Sequence, residues 1–506
     1  MNSFFFTSNL SFGHQPKKTI FQTNKARLGF FEEEATHYNV TTYKGVTIYL
    51  EGCIYNISED NLKTILIDII KEESRANQEK KIIKLVEQAD GEFIIHLFDE
   101  NLGVSLIIAD KYARLPLYYS ANKEHFIVSR NLNIILDFLP EIELDTYALE
   151  EFINFEFFLG KKTLFKTVFK TEPYEFIRID FVHNNPSLKI TSLGNLSFDS
   201  IHWKNKSTFL KNYYSKFDAS VKNRLNYFSE KNISISNTLS GGFDSRAIYG
   251  ELFKLKAPVN HYTFEYIQDE SKVGHKLRSA FQDKNYYEKL SFENKFDFNL
   301  SRQHIFNCQG MTNLYTAMIC TQDNAFLAGK VNDTSVWGGF GGEYIRHPFK
   351  ILYSTFFETL RNGLLSHDIK RFQTTLKRES INNFQEHLHA YFKNYPETTE
   401  EGKLKHFYNE YYLHRVGNGE DLWGRRFFWT VHPMMAGNLI DLFREMPLEY
   451  ASYSTFRSLL RKIDPKLLQV DIYNDQIKLN SRFYFIKDLN CVTNSFSCSN
   501  IAGLFN

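Results

Sequence analysis

The chain has 506 residues, with 60 Lys and Arg against 59 Asp and Glu, and a formal charge of +1. That length exceeds what one hydrophobic core serves and points to two domains; the near-neutral balance gives no electrostatic reason to expect a nucleic-acid partner. Cys53, Cys308, Cys320, Cys491 and Cys498 are scattered without a C-x-x-C pair, and the 16 His show no metal-ligand spacing. The amino-terminal residues lack the basic stretch of a secretion signal, and no apolar run is long enough to cross a bilayer. Together these predict a cytoplasmic protein with free thiols and no membrane partner.

In chain order, short alternating runs predict strands at Val46–Leu50, Glu92–Phe98, Val104–Ala109, Leu117–Ser120, His125–Val128 and Glu175–Asp180. Helical patterns fall at Asn61–Glu72, Gln78–Gln88, Leu132–Phe138 and Tyr147–Asn154. Strand clusters with paired helices predict an α+β layered domain over residues 1–195. A polar stretch near Ser192–Ser207 predicts a linker, drawn at 196–208. From 209 to 506 the pattern changes to strand, loop, helix. Ile233–Leu239 is followed by a helix over 246–256, a strand over Val259–Tyr266 and a third strand over Thr334–Gly338. This predicts an α/β domain with a parallel sheet, followed by helix-dominated sequence over 350–465.

The run Ser240-Gly241-Gly242-Phe243-Asp244-Ser245-Arg246 lies between the first of these strands and its helix. A strand, a small-residue turn and a helix start form the geometry that cradles a phosphate. Glycines let backbone N–H groups approach the anion, and the helix N-terminus adds positive dipole. The residues expected to bind the nucleotide and its metal are Leu239, Ser240, Gly241, Gly242, Asp244 and Ser245. Asp244 is anionic, so a Mg²⁺ ion between it and the phosphate is expected. Arg246, at the start of the helix, is placed to reach either a phosphate or a substrate carboxylate. The lysine of the commoner G-x-x-x-x-G-K-[ST] phosphate loop is missing.

The Ser240–Ser245 run resembles the pyrophosphate loop of N-type ATP pyrophosphatases. Seven other segments, in order, resemble class B asparagine synthetases and their relatives. Tyr49-Leu50-Glu51-Gly52-Cys53-Ile54-Tyr55-Asn56 resembles the family's F-N-G-E-I-Y-N, and Asp90-Gly91-Glu92-Phe93 its L-x-G-x-F. Ala109 to Tyr119, A-D-K-Y-A-R-L-P-L-Y-Y, resembles R-D-x-x-G-x-x-P-L-Y-Y, and Ser129 echoes the serine that follows. Thr163-Leu164-Phe165-Lys166-Thr167-Val168 resembles T-x-F-x-x-I. Gly338-Gly339-Phe340-Gly341-Gly342-Glu343 resembles S-G-E-G-S-D, and Val431-His432-Pro433 to Met446-Pro447 matches a later segment in spacing.

The resemblance implies a glutaminase-like domain of the Ntn-hydrolase type, then an adenine nucleotide alpha hydrolase-like synthetase domain. It implies ATP and Mg²⁺ as cofactors, an acyl-adenylate intermediate, release of pyrophosphate and an amide product. The resemblance puts Glu343 in the place of the family aspartate that shares Mg²⁺ with Asp244, and Gly339, on the loop that faces the first, among the residues expected to bind the nucleotide. The departures shape the expectation further. Residue 2 is Asn2 where the family has its nucleophilic cysteine, and Glu51-Gly52 replaces its Asn-Gly pair, so no glutamine hydrolysis is expected. Phe340 stands where the family has a proton acceptor, and Lys478 is only a loose candidate for its late catalytic lysine, against a reading as a solvated side chain. The pattern is nearer in logic to β-lactam synthetases or lasso-peptide macrolactam cyclases. Expected partners are a small-molecule or peptide carboxylate and a biosynthetic partner protein. The alternative is a non-catalytic homologue that binds a nucleotide or a partner.

Overall fold

Alternation of apolar and polar residues becomes antiparallel sheet in the first part of the chain. The computed structural model describes residues 3–8, 18–22, 26–31, 38–123, 125–155, 157–181, 186–265, 270–291, 311, 327, 329–330, 334–346, 386–388, 390–414, 417, 425 and 428–472. There are two units, with the first boundary between Leu196 and Ser197. The first unit also takes in residues 297–330 and 410–429, so the units interleave along the chain rather than following one another as the expected division had them.

The first unit opens with β1 (Ser3–Thr7), β2 (Lys18–Gln22), β3 (Arg27–Phe31), β4 (Tyr38–Tyr43) and β5 (Val46–Ile54), then α1 (Glu59–Ile70) and α2 (Arg75–Gln88). It continues through β6 (Gly91–Asp99), β7 (Val104–Ala109), β8 (Tyr118–Ala121), β9 (Phe126–Ser129), α3 (Leu132–Phe138), α4 (Thr146–Phe155), β10 (Phe169–Lys170), β11 (Glu175–Asp180) and β12 (Ser187–Ser192). These form two six-stranded sheets, ordered β10-β8-β9-β1-β3-β2 and β12-β11-β7-β6-β5-β4. Apolar residues of α1 and α2 (Leu62, Leu66, Ile69, Ile82, Leu85) pack with Ile95, Leu97 and Leu106 of the second sheet. Leu132, Ile135 and Ala148 of α3 and α4 pack with Phe5, Tyr118 and Ile127 of the first. Phe4 meets Tyr49 at 5.2 Å and Phe6 meets His96 at 4.6 Å between ring centroids, so the sheets face each other through an aromatic layer. His96 belongs to that layer as a neutral ring, its pKa pushed down to about 3 by burial. The result is a four-layer helix–sheet–sheet–helix domain.

The second unit begins with α5 (Lys206–Glu230), whose first turn takes up the end of the expected linker. It continues with β13 (Ser234–Thr238), α6 (Phe243–Lys254), β14 (Asn260–Glu265), α7 (Ser271–Phe281), β15 (Tyr287–Ser291) and β16 (Thr334–Trp337). With β17 (Trp429–Val431), the strands form one sheet ordered β15-β14-β13-β16-β17. The pairs β13/β14, β13/β16 and β14/β15 are parallel, as expected for strands separated by helices. Later helices cover Glu400–His414, Gly437–Glu445 and Tyr453–Ile463. The last of these fixes α6: Phe243 meets Phe456 at 5.6 Å, and a Cβ on Gly250 would lie 3.0 Å from Ile463. No helix among the described residues is long and apolar enough to cross a membrane.

Candidate functional site

Parallel sheets place ligands at the carboxyl ends of their strands, where loops lead into helix N-termini. β13 ends at Thr238 and α6 starts at Phe243, three residues earlier than the sequence pattern indicates. Gly242 is the N-cap, and Phe243 is buried, so Asp244, Ser245 and Arg246 all fall in the first turn. Leu239 is fully buried and contributes backbone alone. Its N–H donates to the Tyr262 carbonyl at 2.7 Å, and its own carbonyl accepts from Thr263 Oγ1 at 2.5 Å.

The turn itself is tied by its serines. Ser240 N–H donates to Ser245 Oγ at 3.2 Å, the two hydroxyl oxygens lie 2.8 Å apart, and Gly242 N–H donates to Ser240 Oγ at 3.3 Å. Gly241 N–H donates to Glu270 Oε2 at 2.8 Å, so a carboxylate already engages one amide of the cradle. Glu270 stands at the N-cap of α7, but its side chain makes no capping bond there and turns to the loop instead.

Arg246 corrects the expectation of a ligand-facing cation. It is fully buried, and its guanidinium donates to the carbonyls of Leu467 (2.9 Å), Asp471 (3.3 Å) and Gly241 (3.4 Å), and to that of Val470. A planar donor fork whose two Nη groups are taken up by four backbone carbonyls is held in place, so Arg246 braces the loop against the segment after Ile463. Lys478 lies outside the described residues.

The second loop closes on the first through glycines. A Cβ on Gly339 would lie 2.6 Å from both Asp244 C and Ser245 N, and one on Gly342 only 2.1 Å from Asp244 Oδ1. Gly341 has φ +100°, a left-handed conformation that favours glycine. The close approach brings Asp244 to the helical turn Glu343–Arg346. There Arg346 Nη2 lies 2.7 Å from Asp244 Oδ2 and 3.3 Å from Glu343 Oε1. Burial pushes the Asp244 pKa up to about 8, with Arg346 opposing the rise and Glu343 adding to it. Asp244 Oδ1 is buried and has no hydrogen-bond partner among the described residues. Two carboxylates, one with a spare buried oxygen, are hard donors of the kind a divalent cation takes, so the residues fit such an ion. No group of three or more His, Cys, Asp or Glu side chains suited to a metal exists among the described residues.

Three neighbours were not singled out by the sequence. Arg346 carries no motif signal. Tyr213 of α5 is buried with a hydroxyl that lacks a partner among the described residues; burial first, then the Asp244 and Glu343 charges, raise its pKa. His432 packs edge-on to Phe340 at 4.8 Å, and a Cβ on Gly338 would lie 2.9 Å from its ring. Only the 431–433 spacing hinted at that position.

In the first unit, the Glu51-Gly52 pair sits on β5. Glu51 is buried, bonded to Arg130 at 2.9 Å and to the Tyr49 hydroxyl at 3.0 Å. Cys53 is fully buried. Gly52 has φ +93° and packs on β6, where a Cβ would lie 2.1 Å from the Glu92 carbonyl oxygen. Nearby, Arg114 bridges Asp110 (2.9 Å) and Glu92 (2.8 Å), and Tyr55 donates to Glu92 at 2.8 Å.

Residues 21–187 match the family model of a glutamine amidotransferase domain, which relates the first unit to amidotransferase enzymes of the Ntn type. No curated protein sequence matches the chain. Among solved structures, the allosteric regulatory enzyme of purine biosynthesis aligns at 9% identity and a TM-score of 0.23, covering 57% of this chain and 74% of that one. The glutamine phosphoribosylpyrophosphate amidotransferase of B. subtilis, complexed with ADP and GMP, aligns at 9% identity and a TM-score of 0.19 over the same shares.

Proposed function

We propose that this chain is an ATP-dependent, AMP-forming amide ligase that uses no glutamine of its own. The observation that carries the reading is the serine-tied turn at the α6 N-terminus, with Asp244 facing Glu343 across it. Backbone amides and the helix dipole of that turn favour the pyrophosphate of ATP. A divalent cation held by Asp244 and Glu343 would neutralise charge on the departing pyrophosphate. A carboxylate oxygen attacks the α-phosphorus, the bond to the bridging α–β oxygen breaks, and pyrophosphate leaves. An amine then attacks the acyl carbon, gives up a proton, and AMP departs as the amide forms. The first step needs no base, since the carboxylate is already ionised. The second needs a proton acceptor that Phe340 cannot supply, so it is expected to be the slower half.

The amidotransferase-like first unit does not by itself imply glutamine hydrolysis here. Glu51 is committed to Arg130 and Tyr49, and Cys53 has no exposed surface to act as a nucleophile. The acyl group of a small-molecule or peptide substrate, and an amine from that substrate or from ammonia, complete the reaction. A second reading, a homologue that binds nucleotide or a partner without catalysis, is favoured by Phe340 and by the burial of Arg246. Chromatography of nucleotide products with candidate carboxylates separates these. AMP and pyrophosphate support the ligase, ADP and phosphate reject its mechanism, and absence of turnover with retained ATP binding favours the second reading.

A further inference from the structure

Arg346 occupies the position that a metal shared by Asp244 and Glu343 would need. Its Nη2 takes Asp244 Oδ2 at 2.7 Å and Glu343 Oε1 at 3.3 Å. The three side chains expose 16, 26 and 23% of their surface for Asp244, Glu343 and Arg346, so solvent screens the cluster only in part. The arrangement is built in. Glu343 and Arg346 are three apart on one helical turn, which puts them on the same side. Gly342, without a Cβ, lets the Asp244 carboxylate reach that turn. The Phe243 ring lies 5.9 Å below the guanidinium carbon and gives it a flat seat. Glu343 and Arg346 thus lie on a turn that packs on the phosphate loop itself.

Two carboxylates this close repel each other, and a guanidinium between them removes that cost. A divalent cation that used both carboxylates would compete for Asp244 Oδ2 and Glu343 Oε1. The guanidinium would then have to leave, on a side chain long enough to swing from its helical turn. The nearest strong acceptors for a displaced guanidinium would be the oxygens of a bound pyrophosphate group, which match its fork.

We propose that Arg346 is the resident counter-cation of the Asp244–Glu343 pair and exchanges that pair for nucleotide phosphate when a divalent cation enters. This rests on the nucleotide reading of the loop given above. The exchange couples two ligands. The cation binds weakly alone because it must displace Arg346, and better with nucleotide because the displaced charge gains a partner.

The test uses the full chain and two probes, Mn²⁺ followed by electron paramagnetic resonance and α,β-methylene-ATP followed by calorimetry. Arg346→Gln is expected to tighten Mn²⁺ binding without nucleotide by about tenfold, the scale of one partly exposed ion pair with two contacts. It is also expected to abolish the enhancement of Mn²⁺ affinity by α,β-methylene-ATP. Arg346→Lys, which keeps the charge, should stay within about threefold of wild type in Mn²⁺ affinity. Unchanged or weaker Mn²⁺ binding in a folded Arg346→Gln protein, with Asp244→Asn still abolishing it, overturns the exchange while leaving the nucleotide reading intact. If neither wild type nor Arg346→Gln binds Mn²⁺ or α,β-methylene-ATP, both the exchange and the nucleotide reading fall.

Discussion

A missing side chain does as much at this site as any that is present. Gly342 leaves room for the Asp244 carboxylate, and a methyl there would sit 2.1 Å from Oδ1. Gly342→Ala should therefore push Asp244 off Arg346 and cost about 1–3 kcal/mol of stability, as overpacking does. Thermal unfolding reads the stability, and the Mg²⁺ dependence of nucleotide binding reads the displaced carboxylate. Retention of both at wild-type values would show that the second loop simply gives way. Another residue-scale expectation concerns Asp199. Its carboxylate accepts from the N–H and the hydroxyl of both Thr398 and Thr399, at the start of helix Glu400–His414. Those bonds to the ionised form hold its pKa down at about 2, although burial works the other way. The folded pKa is below the unfolded one, so the contribution is present above about pH 4 and lost as the pH falls towards 2. Asp199→Ala should lower stability at neutral pH by about 1 kcal/mol, the value of a helix cap, and by less at pH 2.5, measured by urea unfolding. An equal loss at both pH values would mean the carboxylate's charge is irrelevant there. The resemblance of the two loops paired Asp244 with Glu343, and the structure brings both carboxylates to Arg346. Arg346 was not legible, because no spacing rule announces a cation that folds back between two acids.

Elements were legible where burial imposes a period. β7, β11 and α3 fall where alternation and helical spacing place them, and β5 and β6 run only a few residues beyond their predicted ends. β4 and β12 were missed. Both are edge strands, and neither has a buried residue to set an apolar period. The start of α6 was placed three residues late, because Gly-Gly reads as a turn while Gly242 acts as the N-cap. That shift decides the chemistry of the turn. It puts Ser245 in position to hold Ser240, and it turns Arg246 inward to carbonyls. Ser245→Ala removes the acceptor for the Ser240 amide and should cost about 1 kcal/mol, seen in thermal unfolding, with a larger proportional loss in nucleotide affinity. Equal losses in stability and affinity would point to general destabilisation rather than a preorganised cradle.

On the scale of the whole molecule, the sequence indicated a layered α+β part and a parallel α/β part, and both are present as separate units. Their interleaving was invisible, because a stretch of chain that returns to an earlier unit leaves no local pattern. The first unit has the glutamine amidotransferase match, yet its Glu51 is held by a buried ion pair and its Cys53 is sealed. Glutamate release from glutamine should therefore not exceed a heat-killed control; release above that level would show a nucleophile elsewhere in the chain. The central claim is that the second unit grips ATP through the turn at the α6 N-terminus. The most direct measurement is calorimetric titration of the full chain with α,β-methylene-ATP and Mg²⁺, comparing wild type with Gly241→Val. A side chain at 241 stands where phosphate must approach the backbone, so wild type should bind and Gly241→Val should not. Equal affinity of the two proteins, or no binding by wild type, would contradict the claim.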